Sequence, residues 1–266
     1  MAERRGDPAA LRSEFLFRLF SFYLRLRFRR TFHAVRMSGT IVELPRDRPV
    51  IVFSNHPSWW DPALYIVLAD RLFRGRPSFG PMDAPSLARY GFFERLGVFG
   101  IQKESASGAR RFLEVARHVL KDCIGPRGRA MLWVTAEGEF TDPRQRPVLL
   151  RAGIAHLARA MPDALLLPLA IEYAFWNESR PELLLRFGTP IAADASLRPA
   201  EWNRLLQDAL GCEMDALAAD SMSREKTRFR SILRGGAGAS LPYDLYRRLR
   251  AMLSGTVFSP AHEEEA

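Results

Sequence analysis

The chain has 266 residues, 47% of them hydrophobic and 26% charged, with a formal net charge of +9. That length and balance fit one large globular domain and exclude a mostly disordered chain. Almost all of the basic residues are arginines, since only Lys103, Lys121 and Lys226 are lysines, and a basic surface favours anionic partners.

Residues 1–10 read as a polar leader. Residues 11–36 read as a helix crowded with Phe and Leu, in which Arg18, Arg25 and Arg29 fall near one line. Such a helix either docks on a core with its arginines snorkelling, or lies in the plane of an anionic membrane surface. The density of aromatics beside arginines favours the membrane. The longest runs without Asp, Glu, Lys or Arg, residues 49–60 and 251–262, have 12 residues each. A spanning helix needs roughly 18. The N-terminus does not read as a signal peptide, because arginines break its apolar stretch. The expectation is therefore a peripheral protein on the cytoplasmic face of a membrane. Cys123 and Cys212 stand alone, which suits a reduced compartment and predicts no metal site. No groove-reading or base-stacking motif accompanies the arginines, so nucleic acid is not an expected partner.

From residue 40 onward strands and helices alternate. "TIVEL" (40–44) and "PVIVFSN" (49–55) read as strands and 61–73 as a helix. "PSFGPM" (77–82) reads as a strand, "SLARYGFFERLG" (86–97) as a helix and "VFGIQK" (98–103) as a strand. A helix over 105–121, a strand within 129–138, a helix over 149–160, strands over 164–175 and 182–191, and a helical region over 199–253 complete the pattern. Short apolar runs alternating with amphipathic helices predict an α/β fold, a single mixed and largely parallel sheet flanked by helices. The expected division is an amphipathic helical segment over 1–39, an α/β domain over 40–253, and a flexible tail over 254–266. A break falls at "RGGAGAS" (234–240).

In "NHPSWWD" (55–61) His56 sits just past the end of a strand, where open α/β sheets place their ligand crevice. Asp61 before Pro62 reads as a helix N-cap. The same carboxylate, if it reaches the imidazole, fixes its tautomer and stabilises the imidazolium formed when the ring takes a proton from a hydroxyl. Trp59 and Trp60 either wall such a site or plug the helix against the sheet.

These residues resemble the H-x-x-x-x-D motif of the glycerolipid acyltransferases, the 1-acylglycerol-3-phosphate acyltransferase family. "GVFGIQKES" (97–105), "VTAEGEFTD" (134–142) and "LLLPLAIEY" (165–173) resemble that family's later blocks in the right order. The resemblance implies an acyltransferase in which His56 is the general base and Asp61 orients it. It places Lys103, Glu137, Gly138, Glu139 and Phe140, with Trp59 beside them, at the substrate, and Pro168 near the acyl donor. It also implies acyl-CoA or acyl carrier protein as co-substrate, a lipid acceptor, no cofactor, and an oxyanion held by backbone N–H groups at the start of the 61–73 helix. The third block departs from the family's Glu-Gly-Thr-Arg, reading Glu137-Gly138-Glu139-Phe140. A carboxylate thus stands beside the place of a phosphate-binding arginine, with Arg144 and Arg146 as candidate substitutes. Lys103 lacks the bidentate geometry of the arginine usual there. The acceptor is then either 1-acylglycerol-3-phosphate or a lipid of another class, such as a glycolipid, carotenoid derivative or amino-lipid. A non-catalytic lipid-binding relative is the remaining alternative.

Overall fold

The computed structural model describes residues 6–40, 43–103 and 105–236. Asp7 and Ser13 cap two N-terminal helices, α1 (Pro8–Leu11) and α2 (Glu14–Thr31). There follow β1 (Ala34–Ser38), β2 (Val50–Ser54), α3 (Asp61–Leu72), β3 (Ser78–Asp83) and α4 (Ala84–Arg89). A 3-10 turn (Gly91–Leu96) leads to β4 (Val98–Ile101) and α5 (Ala106–Asp122). A small hairpin of β5 (Ile124–Gly125) and β6 (Gly128–Arg129) precedes β7 (Met131–Thr135) and α6 (Gly153–Ala160). The described chain closes with β8 (Leu165–Ala174), β9 (Glu182–Phe187), β10 (Ile191–Ala192), α7 (Pro199–Ser223) and β11 (Phe229–Arg234).

The main sheet runs β11-β1-β9-β8-β2-β7-β3-β4, with β10 also paired to β8. Strands β2, β7, β8, β3 and β4 are parallel neighbours, as are β1 and β9. The β8/β9, β8/β10 and β1/β11 pairs are antiparallel. This is the mixed, largely parallel sheet that the strand–helix alternation predicts. Its central strands are buried on both faces, so they read as continuous apolar runs. Ile51, Phe53, Leu132 and Val134 pack with α5, α6 and α7, while Val50, Val52, Met131 and Trp133 pack with α2 and α3. Pro168 lies within β8, where a missing N–H would ordinarily break the ladder. Its carbonyl accepts from Gly188 N, in the gap between β9 and β10, so the missing donor faces an interruption rather than a partner strand.

Several expectations are corrected. The helix read over 11–36 ends at Thr31, and residues 34–38 form β1 within the main sheet. Of the strand read over 40–44, residues 41 and 42 lie outside the described residues, and Glu43 and Leu44 belong to no strand. The helix read over 86–97 is split into α4 and a 3-10 turn. The region from 199 is helical only to Ser223, after which β11 runs along the sheet edge. The break after Gly236, the rest of the region to 253 and the tail over 254–266 lie outside the described residues, as do residues 1–5.

Helix α2 buries Phe17, Ser21, Leu24 and Phe28 and runs antiparallel to α3. Phe28 packs edge-on against Trp60 at one end, and Ser21 donates to Asp70 Oδ2 (2.9 Å) at the other. The opposite face stays open, with Phe15 74%, Phe22 52% and Tyr23 50% exposed, alongside Leu19 and Leu26. The helix therefore docks on the core and also presents an apolar face.

Beneath the end of this helix, Glu182 of β9 is buried at 1% exposure between His33 Nδ1 (2.5 Å) and Arg36 Nε (3.0 Å). Burial works against the charged carboxylate, but the His33 and Arg36 hydrogen bonds outweigh it and lower the Glu182 pKa. A carboxyl held lower in the folded state stabilises above its unfolded pKa, and that contribution is lost as pH falls through the folded value. Glu182→Gln is expected to cost about 1–3 kcal/mol at pH 7. In urea melts the gap between variant and wild type should shrink as pH drops below about 4.3. A gap of equal size at both ends of that range would show that the charge is not the source.

Candidate active site

Because β2, β7, β3 and β4 are parallel, the segments that leave their carboxyl ends share one edge of the sheet. His56 follows β2, Glu137 follows β7 and Lys103 follows β4. The end of β2 is pinned by Asn55, fully buried, whose side chain donates to Ile171 O (2.8 Å) and accepts from Ile171 N (2.9 Å). A side-chain amide thus supplies one more rung to the β2/β8 ladder after the backbone has turned away.

His56 emerges from that rung with its backbone bracketed. Its N–H donates to Glu137 Oε2 (2.6 Å), and its carbonyl accepts from Thr141 N (3.1 Å). The ring of Phe140 lies over the imidazole, centroids 4.4 Å apart. The segment 137–141 therefore wraps around His56. Glu137, read as a substrate residue, is 5% exposed and directed at this backbone. Burial raises its pKa, against the opposing His56 N–H bond.

The imidazole Nδ1 is 2.7 Å from Asp61 Oδ2, and Asp61 is fully buried. Ser58 N donates to the same oxygen (3.0 Å) and the Tyr173 hydroxyl donates to Oδ1 (2.7 Å). Asp61 was expected to cap the helix. It is instead the first helical residue, Trp60 holds the cap position without a side-chain cap bond, and the carboxylate is directed at His56. Of the N–H donors at the start of α3, Asp61 N bonds Ser58 O and Trp60 N bonds Ser58 Oγ, and Pro62 has none. Among the described residues His56 Nε2 has no hydrogen-bond partner. An imidazole held at Nδ1 by a buried carboxylate and open at Nε2 has the geometry to move a proton.

Tyr173 was not foreseen. It lies in β8, far from the motif in sequence, and its phenol pKa is pushed well above 10 by burial and by the charge of Asp61. It stays a donor at neutral pH. Tyr173→Phe is expected to cost about 1.5–3 kcal/mol in unfolding free energy, the range for a hydrogen bond to a charged group. An unchanged denaturant midpoint would mean that Ser58 N–H and His56 suffice to hold Asp61.

Other predicted positions are less central. Trp59 is 64% exposed and stacks on Trp60, which packs on Phe28 and Phe32. Lys103 is exposed, on the turn after edge strand β4, three strands from β2 and so about 14 Å away laterally. Gly138 adopts φ +77°, and a Cβ there would meet the Arg151 side chain at 2.7 Å. Glu139 is exposed, 3.9 Å from Arg151. Arg144 and Arg146, the candidate substitutes, are held by Asp142 (2.7 Å) and by Asp215 of α7 (3.0 Å).

Residues 38–172, just over half of the chain, match the family model described as Acyltransferase, and the chain belongs to that family. The resemblance read from the four blocks is borne out at that level, and the protein is an acyltransferase. Its fold is similar to the crystal structure of the 1-acyl-sn-glycerophosphate (LPA) acyltransferase PlsC from Thermotoga maritima. That likeness has a TM-score of 0.56 at 14% identity, over 77% of this chain and 81% of that one. No curated protein sequence matches the chain. Among the described residues no helix is long and apolar enough to cross a membrane.

Proposed function

We propose that the protein transfers an acyl group from an acyl thioester, acyl-CoA or acyl carrier protein, to a lipid hydroxyl at a membrane surface. The observation that carries this reading is the His56–Asp61–Tyr173 chain of hydrogen bonds at the carboxyl edge of the sheet. His56 Nε2 takes the hydroxyl proton as the oxygen attacks the thioester carbonyl. The tetrahedral intermediate collapses, the C–S bond breaks, and the imidazolium returns the proton to the leaving thiolate. Asp61 stabilises the imidazolium between these steps. The exposed apolar face of α2 with its flanking arginines supports a peripheral placement, and the basic net charge supports an anionic surface.

A neutral lipid alcohol is favoured as acceptor over 1-acylglycerol-3-phosphate. Supporting this, Glu139 puts a carboxylate beside Phe140, which takes the place of the family's phosphate-binding arginine, and Arg144 and Arg146 are already paired with Asp142 and Asp215. The test is thiol release from acyl-CoA and acyl carrier protein donors, each with 1-acylglycerol-3-phosphate and with neutral lipid alcohols. Acceptor-dependent release supports the reaction, and its preference decides the acceptor. Release that ignores every acceptor would sink it.

A further inference from the structure

On the α2/α3 side of the sheet, Arg18, Arg25, Asp70, Arg71 and Arg74 line a cleft of about 200 Å³. It lies at the end of α3 remote from His56. Asp61 and Asp70 are nine residues apart on one helix, so the two places are separated by about 14 Å along it. Four arginines face one carboxylate, and that carboxylate already accepts from Ser21. Arg18 pairs with Glu14 (2.8 Å) and Arg71 donates to Ile232 O (3.5 Å). Among the described residues the buried Arg25 Nε has no hydrogen-bond partner and Arg74 has no ion-pair partner. The cleft is thus an under-neutralised cationic site with a buried donor to spare.

Its position on the helix indicates what fills it. At 100° per residue, Arg18 and Arg25 fall between the buried face (Phe17, Ser21, Leu24, Phe28) and the exposed apolar face (Phe15, Leu19, Phe22, Leu26). When the apolar face enters the acyl boundary, this row of arginines stands at the level of the phosphates. A soluble phosphate would need the cations but not the aromatics beside them.

We infer that this cleft binds the phosphate of an anionic lipid headgroup and orients the protein on the bilayer, apart from the catalytic site. The inference rests on the membrane placement proposed above. The test is flotation of the full chain with phosphatidylcholine vesicles and with vesicles containing about 20 mol % phosphatidylglycerol. Wild type is expected to prefer the anionic vesicles about tenfold or more, and Arg71→Glu/Arg74→Glu to lose that preference while still binding neutral vesicles. Arg110→Glu/Arg117→Glu on α5, which packs on the opposite face of the sheet, removes the same charge and should leave the preference intact. Arg74→Glu alone gives a variant that strands no partner, should the double substitution fail to fold.

Preference surviving in the folded double variant, or lost equally in the α5 control, would overturn the inference and leave the membrane placement standing. Wild type floating with neither vesicle would overturn both. Inorganic phosphate bound by wild type and not by the double variant, with flotation on anionic vesicles unchanged by millimolar phosphate at constant ionic strength, would assign the cleft to free phosphate instead. Thiol release with detergent-dispersed acceptor reads the catalytic proposal separately, since it does not require a bilayer.

Discussion

His56→Ala is expected to reduce acceptor-dependent thiol release about a hundred- to ten-thousand-fold, the range for loss of a positioned general base. The far-ultraviolet circular dichroism spectrum should stay unchanged. The fold tolerates the loss because the elements that hold residue 56 act on its backbone and not on its ring. Glu137 Oε2 and Thr141 N bond the main chain, and Asn55 fixes the residue before it. His56→Gln keeps a polar side chain at the same place and should be equally inactive, because an amide cannot cycle a proton near neutral pH. A folded His56→Ala that retains more than about a tenth of wild-type release would remove the imidazole from the mechanism.

Asp61→Leu is expected to cost both activity and stability. The wild-type carboxylate is fully buried and satisfies Ser58 N–H, the Tyr173 hydroxyl and His56 Nδ1. Leucine fills a similar volume, so no large cavity forms. It does leave three donors facing an apolar group, and about 3–5 kcal/mol is the scale for breaking a buried charged cluster from one side. Asp61→Asn separates the two effects. It retains an acceptor oxygen for Ser58 or Tyr173 and should lose about 1–2 kcal/mol, yet it cannot stabilise an imidazolium as a carboxylate does. Chemical melts and thiol release on both variants give the comparison. Full activity in Asp61→Asn would show that the carboxylate serves only the fold.

The difference between these substitutions follows what could be read in the amino acids beforehand. The strand ending in His56 was legible because "VIVF" is a β-branched and aromatic run of strand length, and Asp-Pro marks a helix start. Helix α5 was legible from its period. Strand β1 was not, because "AVRMS" follows an arginine- and phenylalanine-rich helix without any Gly, Asn or Pro to punctuate the change. What makes it a strand is the pair of neighbours it meets, β9 and β11, and both are distant in the chain. Strand β11 was hidden in the same way behind the end of α7. In the site, His56 and Asp61 are close in sequence and were found together. Tyr173 and the backbone role of Glu137 depend on contacts spanning 112 and 81 residues, for which no local pattern exists.

The late arrival of β1's partners has a consequence for synthesis. Ala34 pairs with Glu182 on one side and with Arg234 on the other, so β1 has no completed edge until residues some 200 positions later have been made. At 5–20 residues per second that interval is about 10–40 s. Throughout it, α2 leaves the ribosome early with its apolar face and arginines in place but without the sheet on which its buried side will rest. A helix in that condition has two surfaces to hide, and a bilayer can take one of them at once. Under the membrane placement proposed above, the nascent chain is tethered before its active site exists, and the sheet assembles beside the membrane on which the finished enzyme works.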